Sequence, residues 1–199
     1  MADETNPWLT RVAETTVMVE PVTGPSGPRR PHTPQAGVVP PERADALPRR
    51  QESVFDGDLF ILGVHGGAGE STYAPLIPGA FEAQHRWPVP PSGQRLSVVL
   101  ICRSSAAGLL AAKHAITDWA SGSLPGVQLL GLAIVADAPG KLPRPLRELA
   151  HALGGAVPRV WSLPWSEAAR LGAPVSANSS KEVRSLVEHL SASPSNQTT

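Results

Sequence analysis

The chain reads LFILGVHGGAGEST at residues 59–72, an apolar run followed by a glycine-rich turn and a Ser-Thr pair. Phosphate-binding loops are built in this way, from a buried strand that feeds a turn and then a helix. Glycines in the turn let backbone N–H groups converge on an anion at the start of the helix. The stretch therefore predicts a buried strand over 59–64 and a loop of phosphate-binding type over 65–72.

One acidic residue interrupts this pattern. Glu70 stands where phosphate-binding loops carry the lysine that reaches the β- and γ-phosphates. A like-charge contact at 4 Å costs about 4 kcal/mol at an effective dielectric near 20, or roughly three decades of affinity. We expect the Glu70 carboxylate to fill the anion cradle itself, to pair with Arg103, or to receive a basic side chain from a partner. ATP hydrolysis by this chain alone is not expected.

Strand and helix patterns alternate through the rest of the chain. Strands are predicted over residues 59–64, 96–102, 127–136 and 157–163. A helix is predicted over residues 71–84, and Pro75 and Pro78 should leave it short or kinked. Further helices are predicted from Ser104 or Ser105 to Gly122, over 143–153 and 166–171, and after a capping box that runs from Ser179 to Glu182. The alternation predicts an α/β domain with a small, doubly wound, mostly parallel sheet of four or five strands, similar to P-loop or Rossmann folds.

The N-terminal quarter of the chain has a different composition. Residues 1–56 hold nine of the 22 prolines, two arginine pairs and little apolar periodicity. Such a segment buries too little surface to offset its conformational entropy. We predict a disordered Pro/Arg-rich arm over 1–56, a domain over 57–190 and a flexible tail over 191–199. Within the arm, Trp8 and Leu9 form a candidate docking motif for a protein partner.

Bulk composition limits the class of protein. Acidic and basic residues balance at 17 each, which favours neither nucleic acid nor a membrane surface as a partner. The single cysteine, Cys102, lies in an apolar run and is typical of a small buried hydrophobe. The first residues lack a secretory pattern, and no apolar run approaches the ~20 residues that span a membrane. We expect a soluble cytoplasmic protein, and the scattered histidines predict no metal site.

The segment Val64–Thr72 resembles the deviant Walker A loop of the ParA/MinD family of P-loop ATPases, which reads Lys-Gly-Gly-x-Gly-Lys-Thr-Thr. His65 stands at the signature lysine, Glu70 at the phosphate lysine and Ser71 at the magnesium-ligating hydroxyl. The later strands and the ending around residues 157–175 are also similar, so the resemblance covers about 58–190. The chain is similar as well to uncharacterised actinobacterial proteins with the same His-Gly-Gly-Ala-Gly-Glu-Ser-Thr loop.

The resemblance implies a shortened and degenerate member. Both loop lysines are missing, and the family's middle section, with its switch and Walker B aspartates, has no counterpart. We therefore expect a non-catalytic binding or adaptor protein in a larger assembly, with an active P-loop ATPase as one candidate partner and with contact through Trp8 and Leu9 or the loop edge. The alternative is a weak nucleotide-binding switch, or an ATPase completed by a partner, that uses ATP and Mg²⁺. The candidate vestigial site comprises Gly66, Gly67, Ala68, Gly69, Glu70, Ser71, Thr72, Arg103 and Asp137.

A second alternative is an α/β-hydrolase. The tripeptide that begins at His65 resembles the oxyanion-hole loop of those enzymes. Ser104 and Asp137 are followed by His151 and His189, which matches the hydrolase order of nucleophile, acid and base. However, the turn around Ser104 lacks the glycines of a nucleophile elbow. The order of residues is the main support for this alternative.

Overall fold

The computed structural model describes residues 31–51 and 58–192. The candidate docking residues Trp8 and Leu9 lie outside the described residues. The strands are β1 (Arg49–Gln51), β2 (Leu59–Gly63), β3 (Ala80–Glu82), β4 (Trp87–Val89), β5 (Leu96–Arg103), β6 (Val127–Val135) and β7 (Val160–Leu163). The α-helices are α1 (Glu70–Tyr73), α2 (Ala106–Ala120), α3 (Arg144–Gly155), α4 (Glu167–Arg170) and α5 (Lys181–Ser191). None of the helices in these ranges is long and apolar enough to cross a membrane.

Five parallel strands form the main sheet, in the order β3-β2-β5-β6-β7. Counted along this sheet alone, the order is 2-1-3-4-5, which is one of the two common orders of doubly wound folds. The direction of winding reverses between β2 and β5. Ligands of such folds bind outside the carboxyl ends of the strands at this reversal. The predicted α/β class with a small parallel sheet is confirmed.

Helices cover both faces of the sheet. Phe60 and Leu62 of β2 pack into one apolar cluster with α2 and α3, whereas Leu59 and Ile61 pack into the other with α1 and α5. Strands buried on both faces require near-continuous apolar sequence, which explains the apolar runs in β2 and β5. The two clusters hold the strand ends, and with them the loops, in fixed positions.

Residues 31–51, which we call the strap, are packed against the domain. β1 pairs in parallel with β4 in a separate two-stranded sheet. Leu47 packs against the core, and the Gln35 N–H donates to the Ala120 carbonyl at 2.8 Å. The predicted disorder of the arm over 1–56 therefore does not extend to residues 31–51, because backbone pairing and specific contacts hold this part of it.

Two of the predicted helices take local forms that the sequence only partly specified. The helix predicted over 71–84 is reduced to α1 and a 3₁₀ turn at Ala74–Leu76, followed by β3. Pro75 and Pro78 account for this, because proline cannot continue a helical hydrogen-bond pattern. At α5 the cap is Ser180, not Ser179, and its hydroxyl accepts from the Val183 N–H at 3.1 Å.

Candidate functional site

The glycine-rich loop leaves β2 at the reversal point of the sheet and leads into α1. Gly67 and Gly69 have φ angles of 73° and 108°, in the left-handed region that glycine adopts without strain. Gly69 is the N-cap of α1. Ala68 is buried, and its N–H donates to the His65 carbonyl at 3.2 Å. The loop therefore has the tight turn that its sequence predicts.

The Glu70 side chain is buried, with 5% of its surface exposed. Its carboxylate accepts a hydrogen bond from the Gly63 N–H at 2.9 Å, one from the Gln84 N–H, and a longer one from the His85 N–H at 3.3 Å. The Nδ1 atom of the His85 ring lies 3.3 Å from the same carboxylate. Backbone N–H groups are strong partners for an ionised carboxylate. Glu70 thus ties the start of α1 to the end of β2 and to the turn at residues 84–85.

The direction of Glu70 differs from the first two of the three alternatives predicted for its side chain. The carboxylate does not fill the anion cradle and does not pair with Arg103, because its donors come from Gly63, Gln84 and His85. Side chains at the start of a helix point back toward the helix N-terminus, which carries this carboxylate toward β2. It is consequently absent from the cavity described below. The predicted repulsion between Glu70 and a triphosphate in the loop therefore loses its geometric basis.

The turn that receives Glu70 is strained. Gln84 and His85 both have φ of 56°, which costs a residue with a side chain about 1 kcal/mol or more. The Nδ1–H of His85 donates to the Gly63 carbonyl at 2.8 Å. Conformations of this kind persist only where the surroundings hold them. Glu70 and Gly63 supply part of that support.

His65 and Arg103 connect the loop to the neighbouring strands. The His65 Nε2 accepts from the Arg103 N–H at 3.0 Å, and its Nδ1 lies 2.8 Å from the Gly66 carbonyl. These bonds fit a neutral ring with its proton on Nδ1. The Arg103 guanidinium donates to the Gly67 carbonyl at 3.1 Å and to the Ala136 carbonyl at 3.3 Å. The sequence indicated Arg103 as a site residue but not this bridging role.

A cavity of about 850 Å³ opens between the loop and residues 164–175. It lies at the carboxyl ends of the strands, where the fold places ligands. Six predicted site residues line it, namely Gly66, Gly67, Ser71, Thr72, Arg103 and Asp137. The other three predicted residues, Ala68, Gly69 and Glu70, are not part of its lining.

The wall opposite the loop was not predicted as part of the site. Arg170 places its guanidinium carbon 5.6 Å from the centre of the Trp165 ring, a cation–π distance. The Trp165 N–H donates to the Glu167 carboxylate at 3.0 Å. Arg170 therefore adds a second arginine beside Arg103 to the cavity lining. The sequence signals for this wall were its resemblance to the ParA/MinD ending, which assigns no role to either residue, and the position of Trp165 beside a proline, which is typical of a contact surface.

Residues 57–187 match the family model described as a family of unknown function, DUF6668. The chain belongs to this family. No curated protein and no solved structure matches the chain. The matched range includes the loop, the cavity and the whole main sheet, whereas the strap precedes it.

In this member of the family, Ser104, which was proposed for hydrolase chemistry, and the neighbouring Ser105 have structural partners. The Ser104 hydroxyl accepts from the Asp137 N–H at 3.0 Å, and the Ser105 hydroxyl accepts from the Gly108 N–H at the start of α2. His151 is exposed on α3. Within residues 31–51 and 58–192, neither serine is hydrogen-bonded to a histidine. The geometry thus lends no support to a nucleophile–base pair in the described part of the chain.

The other nucleophile considered is the single cysteine. Cys102 is buried in β5, and burial raises the pKa of its thiol to about 12. A thiol of this kind stays protonated and unreactive near neutral pH. In the part of the chain that the structure describes, no group of three histidine, cysteine or acidic side chains is placed to hold a metal ion.

Proposed function

We propose that this chain is a non-catalytic binding protein that acts as an adaptor within a larger assembly. The observation that carries the proposal is the buried Glu70 carboxylate, which occupies three backbone N–H donors of the protein itself. At this position the ParA/MinD family carries its phosphate lysine. Phosphoryl transfer depends on cations that neutralise charge developing on the phosphates. A loop without either lysine is suited to holding a shape rather than to hydrolysis.

The cavity supports binding as the retained activity. Its volume of about 850 Å³ falls in the range of small-molecule sites. Its lining combines backbone of the glycine loop with hydroxyl and guanidinium groups. We infer that ligand occupancy or a docked partner side chain at this edge alters the surface that the assembly recognises.

A direct assay of ATP turnover tests the non-catalytic part of the proposal. Purified full-length protein is expected to release no phosphate from ATP in the presence of Mg²⁺. Ser71→Ala is the matched variant, because Ser71 aligns with the magnesium-ligating hydroxyl of the ParA/MinD loop. Phosphate release by the wild type that Ser71→Ala abolishes would overturn the proposal. Release of equal size in both proteins would indicate a contaminating ATPase.

A binding assay tests the adaptor part. Full-length wild type and a Trp8→Ala, Leu9→Ala double variant are used as bait, and Thr72→Ala, at an exposed site of the loop that lines the cavity, reports on the loop edge. We expect a partner that wild type retains and that one of the two variants loses, and the interaction should be reproduced with both proteins purified. A partner retained equally by all three baits would contradict both predicted contact surfaces.

A second candidate function is weak binding of a nucleotide or a similar anion. Arg103 and Arg170 line the cavity, whereas Glu70 faces away from it. Titration with a fluorescent ATP analogue should then show binding to wild type. The affinity should fall about tenfold in Arg170→Ala, because one charge-assisted contact is lost. Arg184→Ala is the control, because Arg184 contacts Asn178 and is not part of the cavity lining. Equal titration curves for all three proteins would remove this candidate.

A further inference from the structure

The strap is anchored to the domain by a buried charge. The Arg49 guanidinium donates to the Asp118 carboxylate at 3.1 Å, and Asp118 is only 1% exposed. The same guanidinium donates to the hydroxyl and to the carbonyl of Ser123, both at 3.0 Å. One residue before Arg49, the Pro48 carbonyl accepts from the Trp87 N–H at 2.8 Å. The strap is therefore hydrogen-bonded both to the end of α2, with the turn that follows it, and to the start of β4.

The strap also contacts the strained turn directly. The Arg50 guanidinium donates to the side-chain oxygen of Gln84 at 2.7 Å. The backbone N–H of the same Gln84 donates to Glu70. Gln84 is thus held by the strap through its side chain and by the loop helix through its backbone. Since β4 begins three residues later, the pairing of β1 with β4 also fixes the exit of this turn.

The strained turn at residues 84–85 is supported from two sides, and it can therefore couple the strap to the glycine-rich loop. Gln84 and His85 are both in the left-handed region, which residues with side chains rarely adopt. They keep this conformation only while neighbouring groups hold it. The supports are Glu70 and Gly63 on one side and the strap on the other. Loss of either support lets the turn relax, and relaxation removes N–H donors from Glu70 or the Gln84 acceptor from Arg50.

We propose that the strap controls the glycine-rich loop through this turn. When residues 31–51 are docked, Arg50 and the β1–β4 pairing hold residues 84–85, and these residues hold Glu70 at the start of α1. Release of the strap, for example by a partner that captures the N-terminal segment, loosens residues 65–72 and one wall of the cavity. By thermodynamic reciprocity, a ligand that orders the loop tightens the strap. This coupling belongs to the protein alone and does not depend on the function proposed above.

Hydrogen exchange of the full-length protein tests the coupling. In Arg50→Ala, amides of residues 65–72 and 84–86 should exchange about tenfold faster than in wild type. This factor corresponds to the loss of one charge-assisted hydrogen bond. Arg43→Ala is the matched control, because Arg43 is an exposed arginine of the same segment that makes none of these contacts. Amides of β5 are the internal reference. Acceleration in β5 as well would mean global destabilisation and would contradict a local coupling.

A second variant tests the route. Gln84→Gly keeps the backbone N–H that Glu70 accepts and suits the left-handed φ, but it removes the side chain that Arg50 contacts. In this background, Arg50→Ala should accelerate loop exchange less than twofold, since changes within one connected network are not additive. The same tenfold effect in both backgrounds would show that Arg50 does not act through Gln84. Unchanged loop exchange in Arg50→Ala would overturn the proposal altogether.

Discussion

At the scale of single residues, Gly63 determines whether Glu70 can reach its donors. A Cβ built on Gly63 would lie 2.7 Å from the Glu70 Oε2 and 2.9 Å from the His85 ring. Gly63→Ala should therefore displace the carboxylate and lower the free energy of unfolding by about 2 kcal/mol, the range for overpacking combined with lost hydrogen bonds. Urea denaturation measures this change.

Gly66 offers a control for that prediction in the same loop. A Cβ on Gly66 would meet nothing within 4 Å, and its φ is not in the left-handed region. Gly66→Ala should change stability by less than about 0.5 kcal/mol, as exposed substitutions usually do. Equal destabilisation by Gly63→Ala and Gly66→Ala would contradict this account. It would show that any side chain added to this segment is destabilising, whether or not it displaces the Glu70 carboxylate.

The residues of the candidate site were only partly predictable from sequence. The glycine turn follows from its local pattern, and that part of the prediction stands. The direction of Glu70 does not, because its donors at Gln84 and His85 lie 14 and 15 residues away. These donors are presented by a turn without glycine, which no local rule identifies. Trp165 and Arg170 were missed as site residues for the same reason, since only tertiary structure brings them to the cavity.

At the scale of elements, α2 lies close to the end of β5 because Gly108 has no side chain. A Cβ at Gly108 would press against the Arg103 backbone carbonyl and lie 2.9 Å from the His65 Nε2. Because backbone cannot move aside cheaply, Gly108→Ala should destabilise the fold by about 3 kcal/mol. Gly155 at the end of α3 has open space, so Gly155→Ala should stabilise by about 0.5 kcal/mol. The thermal unfolding midpoint should therefore fall in Gly108→Ala and rise in Gly155→Ala. A shift in the same direction in both variants would contradict these two predictions.

Burial of β5 makes stability depend on alkaline pH. The Cys102 thiol has a pKa raised by burial to about 12, against an ordinary value of 9.0. The folded state therefore keeps this proton when the unfolded state has lost it. Below pH 9 the thiol is protonated in both states, and its titration does not lower the free energy of unfolding. Between about pH 9 and 12 the free energy of unfolding falls, because only the unfolded state loses the proton. Between pH 9 and 10, wild type should lose about 1 kcal/mol more unfolding free energy than Cys102→Ala.

Long elements were easier to predict than short ones, and physical reasons account for this. β5 and β6 are buried on both faces, so their sequences are long apolar runs. β1, β3 and β4 have three residues each, and β4 contains a proline. Strands this short carry no periodic pattern, and they form because neighbouring backbone is already in place. All three were absent from the predicted elements.

At the scale of the whole molecule, the strap shows how a segment without sequence pattern becomes part of a fold. Its proline-rich composition predicts disorder, yet Arg49 finds a buried carboxylate on α2 that lies 69 residues away along the chain. Contacts at such separation are invisible to composition and periodicity. The strap therefore extends the packed structure to residues that lie before the family match at 57–187.

The contribution of the strap to the whole molecule can be measured at its anchor. Arg49→Ala leaves the Asp118 carboxylate buried without its cation and removes the bonds to Ser123. We expect a loss of about 2 to 3 kcal/mol in the free energy of unfolding, since Arg49 itself is partly exposed and its pair is partly screened. Limited proteolysis should cut residues 31–51 faster in this variant, while the main sheet stays resistant. Arg43→Ala should behave as wild type in both assays. Protection of the strap that survives in Arg49→Ala would mean that its remaining contacts, among them the β1–β4 pairing, are enough to hold it, and that the buried ion pair is dispensable for docking.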